Sequence, residues 1–79
     1  MPVALFCGPF RFHFYSVDRA EPMHVHVTRD DDECKFWLEP TIKIANNDQF
    51  SKHELRRIEK LVHQHRQLIV EKWHEHFNR

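Results

Sequence analysis

Seventy-nine residues, 41% of them hydrophobic and 30% charged, suit one globular core and leave no room for two. Lysine plus arginine and aspartate plus glutamate number 12 each, so the formal net charge is zero and no global basic field draws the chain to nucleic acid. A chain this short buries only about two-thirds of its unfolded surface, which makes a partner, a metal or self-association a natural source of added stability.

The charge is nevertheless uneven. Residues 18–39 carry Asp18, Glu21, Asp30, Asp31, Asp32, Glu33 and Glu39 against Arg19, Arg29 and Lys35, whereas residues 52–66 are mostly basic. Cys7 and Cys34 match no metal spacing and sit in apolar surroundings, so both are expected as reduced core residues. There is no charged-then-apolar leader and no apolar run near the ~20 residues a membrane span needs, so a cytoplasmic location without a membrane partner is expected.

The chain opens on an apolar run, residues 2–7, ended by the turn signal Gly8-Pro9, and residues 10–15 then alternate in period two. This pattern predicts a β-hairpin with Phe10, Phe12 and Phe14 on one face and Arg11, His13 and Tyr15 on the other. Residues 16–23 are polar, contain Pro22, and read as a loop. A third strand is expected over residues 24–28, with Val25 and Val27 inward and His24, His26 and Thr28 opposite. Residues 29–33 form a charged turn. A fourth strand over residues 34–39 places Cys34, Phe36 and Leu38 inward and Lys35, Trp37 and Glu39 outward, and Pro40 ends it. Residues 41–45 suggest a short fifth strand, and Asn46-Asn47-Asp48 is a turn cluster.

Ser51 followed by Glu54 is a capping box, and Phe50 can meet Leu55 as a hydrophobic staple, so a helix starts here on two independent signals. Apolar residues then recur at three-and-four spacing to the end with neither Gly nor Pro, which predicts one amphipathic helix over residues 51–78. The expected fold is α+β, a single domain over residues 1–79. An antiparallel sheet of four to five short strands (residues 1–45) is packed on one face by the long C-terminal helix. As one unbroken helix, residues 51–78 would run about 42 Å, against a diameter of about 30 Å for so small a domain. Either the helix breaks near residues 63–66 or roughly 10 Å of it overhangs the sheet. With no Gly or Pro to support a sharp break, the overhang is expected, laying Leu68, Ile69, Val70, Trp73 and Phe77 against a second chain, another copy or a partner protein.

The polar sheet face would gather Arg11, His13, Tyr15, His24, His26, Thr28, Lys35, Trp37 and Glu39, an inventory suited to acid–base or phosphate chemistry. The plainer alternative is that any sheet covered on one side shows polar residues on its wet face. Tyr15 and Trp37 favour a binding surface, since large amphipathic aromatics in solvent are typical of binding hot spots. The His24-x-His26 pair points both imidazoles one way and can chelate a metal. A third ligand would have to come from His13, Asp30, Glu39, His74 or His76, and nothing in the sequence selects one; no cofactor is expected. On the helix, His63, His74 and His76 are expected at solvated or boundary positions and His65 on the apolar stripe as a packing residue. Lys52, Arg56 and Lys60 follow i, i+4 spacing as one basic stripe, either a solvated face or a dock for an acidic partner or a phosphate backbone.

The segments Phe12-His13-Phe14-Tyr15-Ser16, Glu21-Pro22-Met23-His24-Val25-His26-Val27 and Glu33-Cys34-Lys35-Phe36-Trp37-Leu38-Glu39-Pro40 resemble the small bacterial family called domain of unknown function 4160. The closing pattern of Phe50-Ser51, Glu54-Leu55, Ile58-Glu59 and Trp73-His74-Glu75-His76-Phe77 resembles it as well, so the likeness covers almost the whole chain. The family's usual Gly-containing turn after the histidine strand is replaced here by Asp30-Asp31-Asp32. Members of that family are often encoded beside a second small protein, of the domain of unknown function 2442 type, in pairs resembling type II toxin–antitoxin modules. The resemblance therefore implies a growth-inhibiting toxin with a cognate antitoxin as partner, acting on RNA or the ribosome. If it is a metal-free ribonuclease, His24 and His26 are the expected acid and base. Arg11 and Lys35 would then stabilise phosphorane charge, and Tyr15 or Trp37 would stack a base. The alternatives are a non-catalytic interaction module and a metal-binding protein built on His24 and His26.

Overall fold

A computed structural model describes residues 3–77. The elements are β1 (Val3–Cys7), β2 (Phe10–His13), a 3-10 turn (Ser16–Ala20), β3 (His24–Arg29), β4 (Asp32–Trp37), β5 (Lys43–Asp48), α1 (Lys52–Gln64) and α2 (Arg66–Phe77). The strands form one antiparallel sheet in the order β1-β2-β3-β4-β5, so each pairs with its neighbour in sequence. The α+β class holds, with five strands and with two helices in place of one. Pro2 and Asn78, the expected ends of the first strand and of the helix, lie outside the described residues.

The hairpin between β1 and β2 turns on Gly8, whose φ of 57° lies in the left-handed region that a Cβ disfavours. An added Cβ would meet only Arg57 Nη2 at 3.8 Å, so backbone strain rather than crowding sets the cost of a substitution. Gly8→Ala is therefore expected to lower stability by about 1 kcal/mol, read as a shifted urea midpoint at unchanged slope. Between β3 and β4, in the turn where Asp30-Asp31-Asp32 stands, Asp30 takes φ 54°, a conformation that aspartate tolerates better than most residues. That turn is shorter than the five residues expected. Arg29 pairs with Asp32 across it, and the Arg29 Nη2 to Asp32 Oδ2 contact of 2.9 Å lets the acidic run join the ladder.

Register is as the alternation demands. Phe12 faces Val27, Val25 faces Phe36 and Val27 faces Cys34, while His24 faces Trp37 and His26 faces Lys35. The expected inward set of Phe10, Phe12, Phe14, Val25, Val27, Cys34, Phe36 and Leu38 is buried throughout. Burial in this core pushes the Cys34 thiol up to about 12, with the nearby Glu33 charge adding to the effect, so it stays protonated.

The fifth strand lies later than expected, over Lys43–Asp48, and Asn46, Asn47 and Asp48 are strand rather than turn. Pairing with β4 overrides their turn preference: Glu33, Cys34 and Lys35 take Asp48, Asn47 and Asn46 as partners, and the register then slips between Lys35 and Phe36. The chain reverses instead at Gln49, at φ 81°, where the Asn47 side chain accepts the Phe50 N–H and donates to the Phe50 carbonyl.

The helix starts as expected. Ser51 Oγ accepts the Glu54 N–H at 3.1 Å and Glu54 Oε1 accepts the Ser51 N–H at 3.0 Å. The unbroken helix is overturned: the backbone departs from helical geometry at His65, with φ −109° and ψ 15°. A 42 Å rod does not fit a molecule whose longest extent is 36 Å. The break also turns the second half of the chain back onto its own core. Trp73 meets the Phe14 ring edge-on at 5.4 Å, Phe77 lies 6.1 Å from it, and Ile69 is fully buried. Burying Ile69 and Trp73 gains about 1.5–3 kcal/mol per side chain, which outweighs roughly one lost helical hydrogen bond at about 1 kcal/mol. Of the apolar stripe expected to need a second chain, Ile69 and Trp73 are thus buried from within and Val70 and Phe77 are half-buried, while Leu68 stays exposed. His65 is not on a continuous stripe but caps α1, with its Nε2 4.0 Å from Cys7 Sγ. Among the described residues no helix is long and apolar enough to cross a membrane.

Candidate functional site

The polar face is not a wet face. After β2 the chain passes into the 3-10 turn, where the Tyr15 N–H donates to Asp18 Oδ2 at 2.8 Å and the Asp18 N–H donates to the Tyr15 carbonyl at 3.0 Å. This closure folds Asp18 back over the sheet, and β3 presents its histidines to it. His24 Nε2 lies 3.0 Å from Asp18 Oδ1, and His26 Nε2 lies 3.0 Å from Oδ2 and 3.2 Å from Oδ1. His24 is 0% exposed, His26 8% and Asp18 5%, so the expectation of solvent-facing histidines is corrected: the turn covers them.

Each imidazole is also held from behind. His24 Nδ1 is 2.7 Å from the Pro22 carbonyl, and His26 Nδ1 faces Glu33 Oε2 at 3.3 Å. Glu33 in turn accepts the Tyr15 hydroxyl at 3.2 Å. Burial pushes the Asp18 carboxyl up, but the Tyr15 N–H and the His26 and His24 side chains together hold it below its ordinary value. Burial and the Glu33 carboxylate raise the Tyr15 phenol. His13 stacks on His26 at 5.8 Å, and neither of its ring nitrogens has a hydrogen-bond partner. Burial, with the Arg11 and His26 charges, lowers it to about 4, so it is neutral at neutral pH.

Around this enclosed centre lies a half-buried rim. Lys35 Nζ donates to Glu21 Oε1 at 2.6 Å and stands 4.5 Å above the Trp37 ring, and the Trp37 ring itself rests 5.5 Å from His24. The Lys35 hydrogen bond lowers the Glu21 carboxyl. Tyr15 packs on His26 at 4.5 Å. Arg11 lies further along the same face, opposite Thr28, with its Nε buried and unpartnered. A recess beside the rim is lined by His26, Glu33, Cys34, Lys35, Asn46 and Asp48.

The structure thus brings together His24, His26, Tyr15, Lys35 and Trp37, with Arg11 at one end. It does not bring in the other expected binding residues. Lys52, Arg56 and Lys60 are exposed on α1, which packs Ile58 and Val62 into the core on the apolar side of the sheet, and Glu39 is exposed beyond the end of β4. Arg56 and Lys60 of the basic stripe line a separate open surface with His53, Arg57, Glu59 and His63. None of the third ligands weighed from the sequence joins His24 and His26 in a metal-ligating group; the residue that does is Asp18. Its signal was present, because a carboxylate three residues after Tyr15, where the alternation ends, is placed to return to that residue's N–H. Glu21 and Glu33 were likewise read only as part of the acidic stretch.

No curated protein and no solved structure shows a significant match to the chain. A family model matches residues 10–74, a span that holds β2, the covering turn, both histidines and most of the two helices. The chain therefore belongs to the family described as domain of unknown function (DUF4160).

Proposed function

We propose that this protein is the toxin member of a bacterial type II toxin–antitoxin pair and that it acts on RNA in the translation apparatus. The class is supported by the likeness to a family whose members are often encoded beside a second small protein, here the expected antitoxin. The surface is supported by one observation: His26 floors a recess whose rim carries Glu33 and Lys35, with Tyr15 and Trp37 alongside. Lysine and Arg11 suit phosphate, and the two aromatics suit a base. The reactive centre falls to His26 and its flanking carboxylates, since His24 is enclosed. Zero net charge disfavours tight binding of free RNA and suits a target presented on a preassembled particle.

Induced expression of the chain alone is expected to arrest growth, and co-expression of its genomic neighbour to relieve the arrest. Lys35→Ala and Trp37→Ala are expected to abolish arrest while shifting stability by no more than about 1 kcal/mol. Normal growth on expression of soluble, folded chain would sink the reading. The enclosure of His24 and Asp18 favours a second reading, a non-catalytic interaction module in which the buried network only shapes the surface. In that case His26→Ala keeps its cellular effect as long as Trp37 is intact.

A further inference from the structure

Asp18, His24 and His26 are all buried, and one ligand atom from each lies within 4.8 Å of the other two. We propose that these three side chains bind one divalent transition metal of the zinc class, with both imidazoles ligating through Nε2. The inference goes beyond the toxin reading and stands without it.

Three observations carry the proposal. The first is the donor count at His24. A carbonyl only accepts, so the 2.7 Å contact to Pro22 O places the ring proton on Nδ1. In the neutral ring Nε2 is then a lone pair. It is fully buried and faces the Asp18 carboxylate at 3.0 Å, so that unless the ring takes up a second proton the two meet acceptor against acceptor. A cation between the two resolves the conflict.

The second is orientation. Metal-ligating histidines characteristically donate the other ring N–H to a carbonyl or a carboxylate, which fixes the ring and raises its basicity. His24 is placed this way by Pro22 O, and His26 Nδ1 faces the Glu33 carboxylate at 3.3 Å, a carboxylate that accepts the Tyr15 hydroxyl. In the metal-free chain His26 Nε2 bonds to Asp18; on binding, metal takes that nitrogen, and the ring proton sits on Nδ1 toward Glu33.

The third is distance. A tetrahedral zinc with bonds of about 2.0–2.1 Å separates its ligand atoms by about 3.3 Å, and the carboxylate oxygens stand 3.0–3.2 Å from the two Nε2 atoms. Two nitrogens and one carboxylate select a zinc-class ion over magnesium or calcium, which take oxygen. Three protein ligands leave a fourth position, and Glu21 Oε1, 3.8 Å from His24 Nε2 and tied to Lys35, borders it.

The test uses the untagged chain, stripped with a chelator and titrated with Co2+ and then Zn2+. About one metal per chain is expected, with the intense visible bands of tetrahedral Co2+ bleached by Zn2+. Asp18→Asn and His24→Gln are each expected to weaken binding about a hundredfold or more, since losses of that order already follow from disturbing outer contacts. His63→Gln, exposed on α1, is expected to bind as the parent does. Because Asp18 also holds the turn, the parent chain is examined by NMR in parallel, where Zn2+ is expected to shift the imidazole signals of His24 and His26 and to leave that of His63. Failure of the folded parent to take up stoichiometric metal overturns the proposal, and so does a shift confined to the surface histidines. Neither result depends on growth arrest, so this proposal and the toxin reading fail separately.

Discussion

Phe36→Ala is expected to cost about 3–5 kcal/mol, the range for truncating an aromatic in a closed core. Phe36 is 1% exposed, sits at the middle of β4 opposite Val25, and belongs to the cluster that Ile58, Val62 and Ile69 close from the helical side. Neighbouring side chains are anchored by strand pairing on one side and by two helices on the other, so little collapse into the vacated volume is available. For a domain of this size such a loss corresponds to a fall in Tm on the order of 20 °C. Chemical denaturation followed by tryptophan fluorescence measures it, since Trp73 reports on the core. A loss below about 1 kcal/mol would place Phe36 outside the tightly packed interior.

Asp18→Ala is expected to cost about 3 kcal/mol even in chelator-treated protein, where no bound metal contributes. The substitution strips the Tyr15 N–H of its acceptor and leaves two buried imidazoles facing an empty space. Damage should be local: hydrogen exchange is expected to rise across residues 15–23 before it rises in β3. If exchange in that segment stays at the parent level, the carboxylate is not what closes the turn over the histidines.

The two substitutions divide what sequence alone makes visible from what it hides. Phe36 was legible because strand alternation is a local code: Phe10 and Phe12, Val25 and Val27, and Cys34 and Phe36 recur at every second residue, and antiparallel pairing turns that period into a face. The same code put His24 and His26 beside Tyr15 and Trp37. Ser51 and Glu54 were legible because a capping box is complete within four residues. The return of Asp18 to the Tyr15 N–H lies within such a local span, but its pairing with His24 and His26, six and eight residues away across the turn, is a tertiary event. The break at His65 was hidden for a related reason. The length of the run offers a break near residues 63–66, but nothing in that neighbourhood ends a helix. What the break achieves, burial of Ile58 and Val62 from α1 and of Ile69 and Trp73 from α2 in one core, exists only in the assembled fold. β5 shifted because backbone pairing with β4 outweighs the turn preference of Asn46 and Asn47.

Both outer strands of the sheet, β1 and β5, carry a register slip, one between Val3 and Leu5 and one where β5 meets Lys35 and Phe36. A chain with zero net charge has no mutual repulsion to keep its copies apart in a crowded solution. Straight, regular borders on such a sheet would template the addition of further strands and seed aggregates. The slips twist those borders out of line, and Lys43 and Asp48 add charge along one of them. Irregular borders of this kind disfavour edge-to-edge strand addition where total charge does not oppose it.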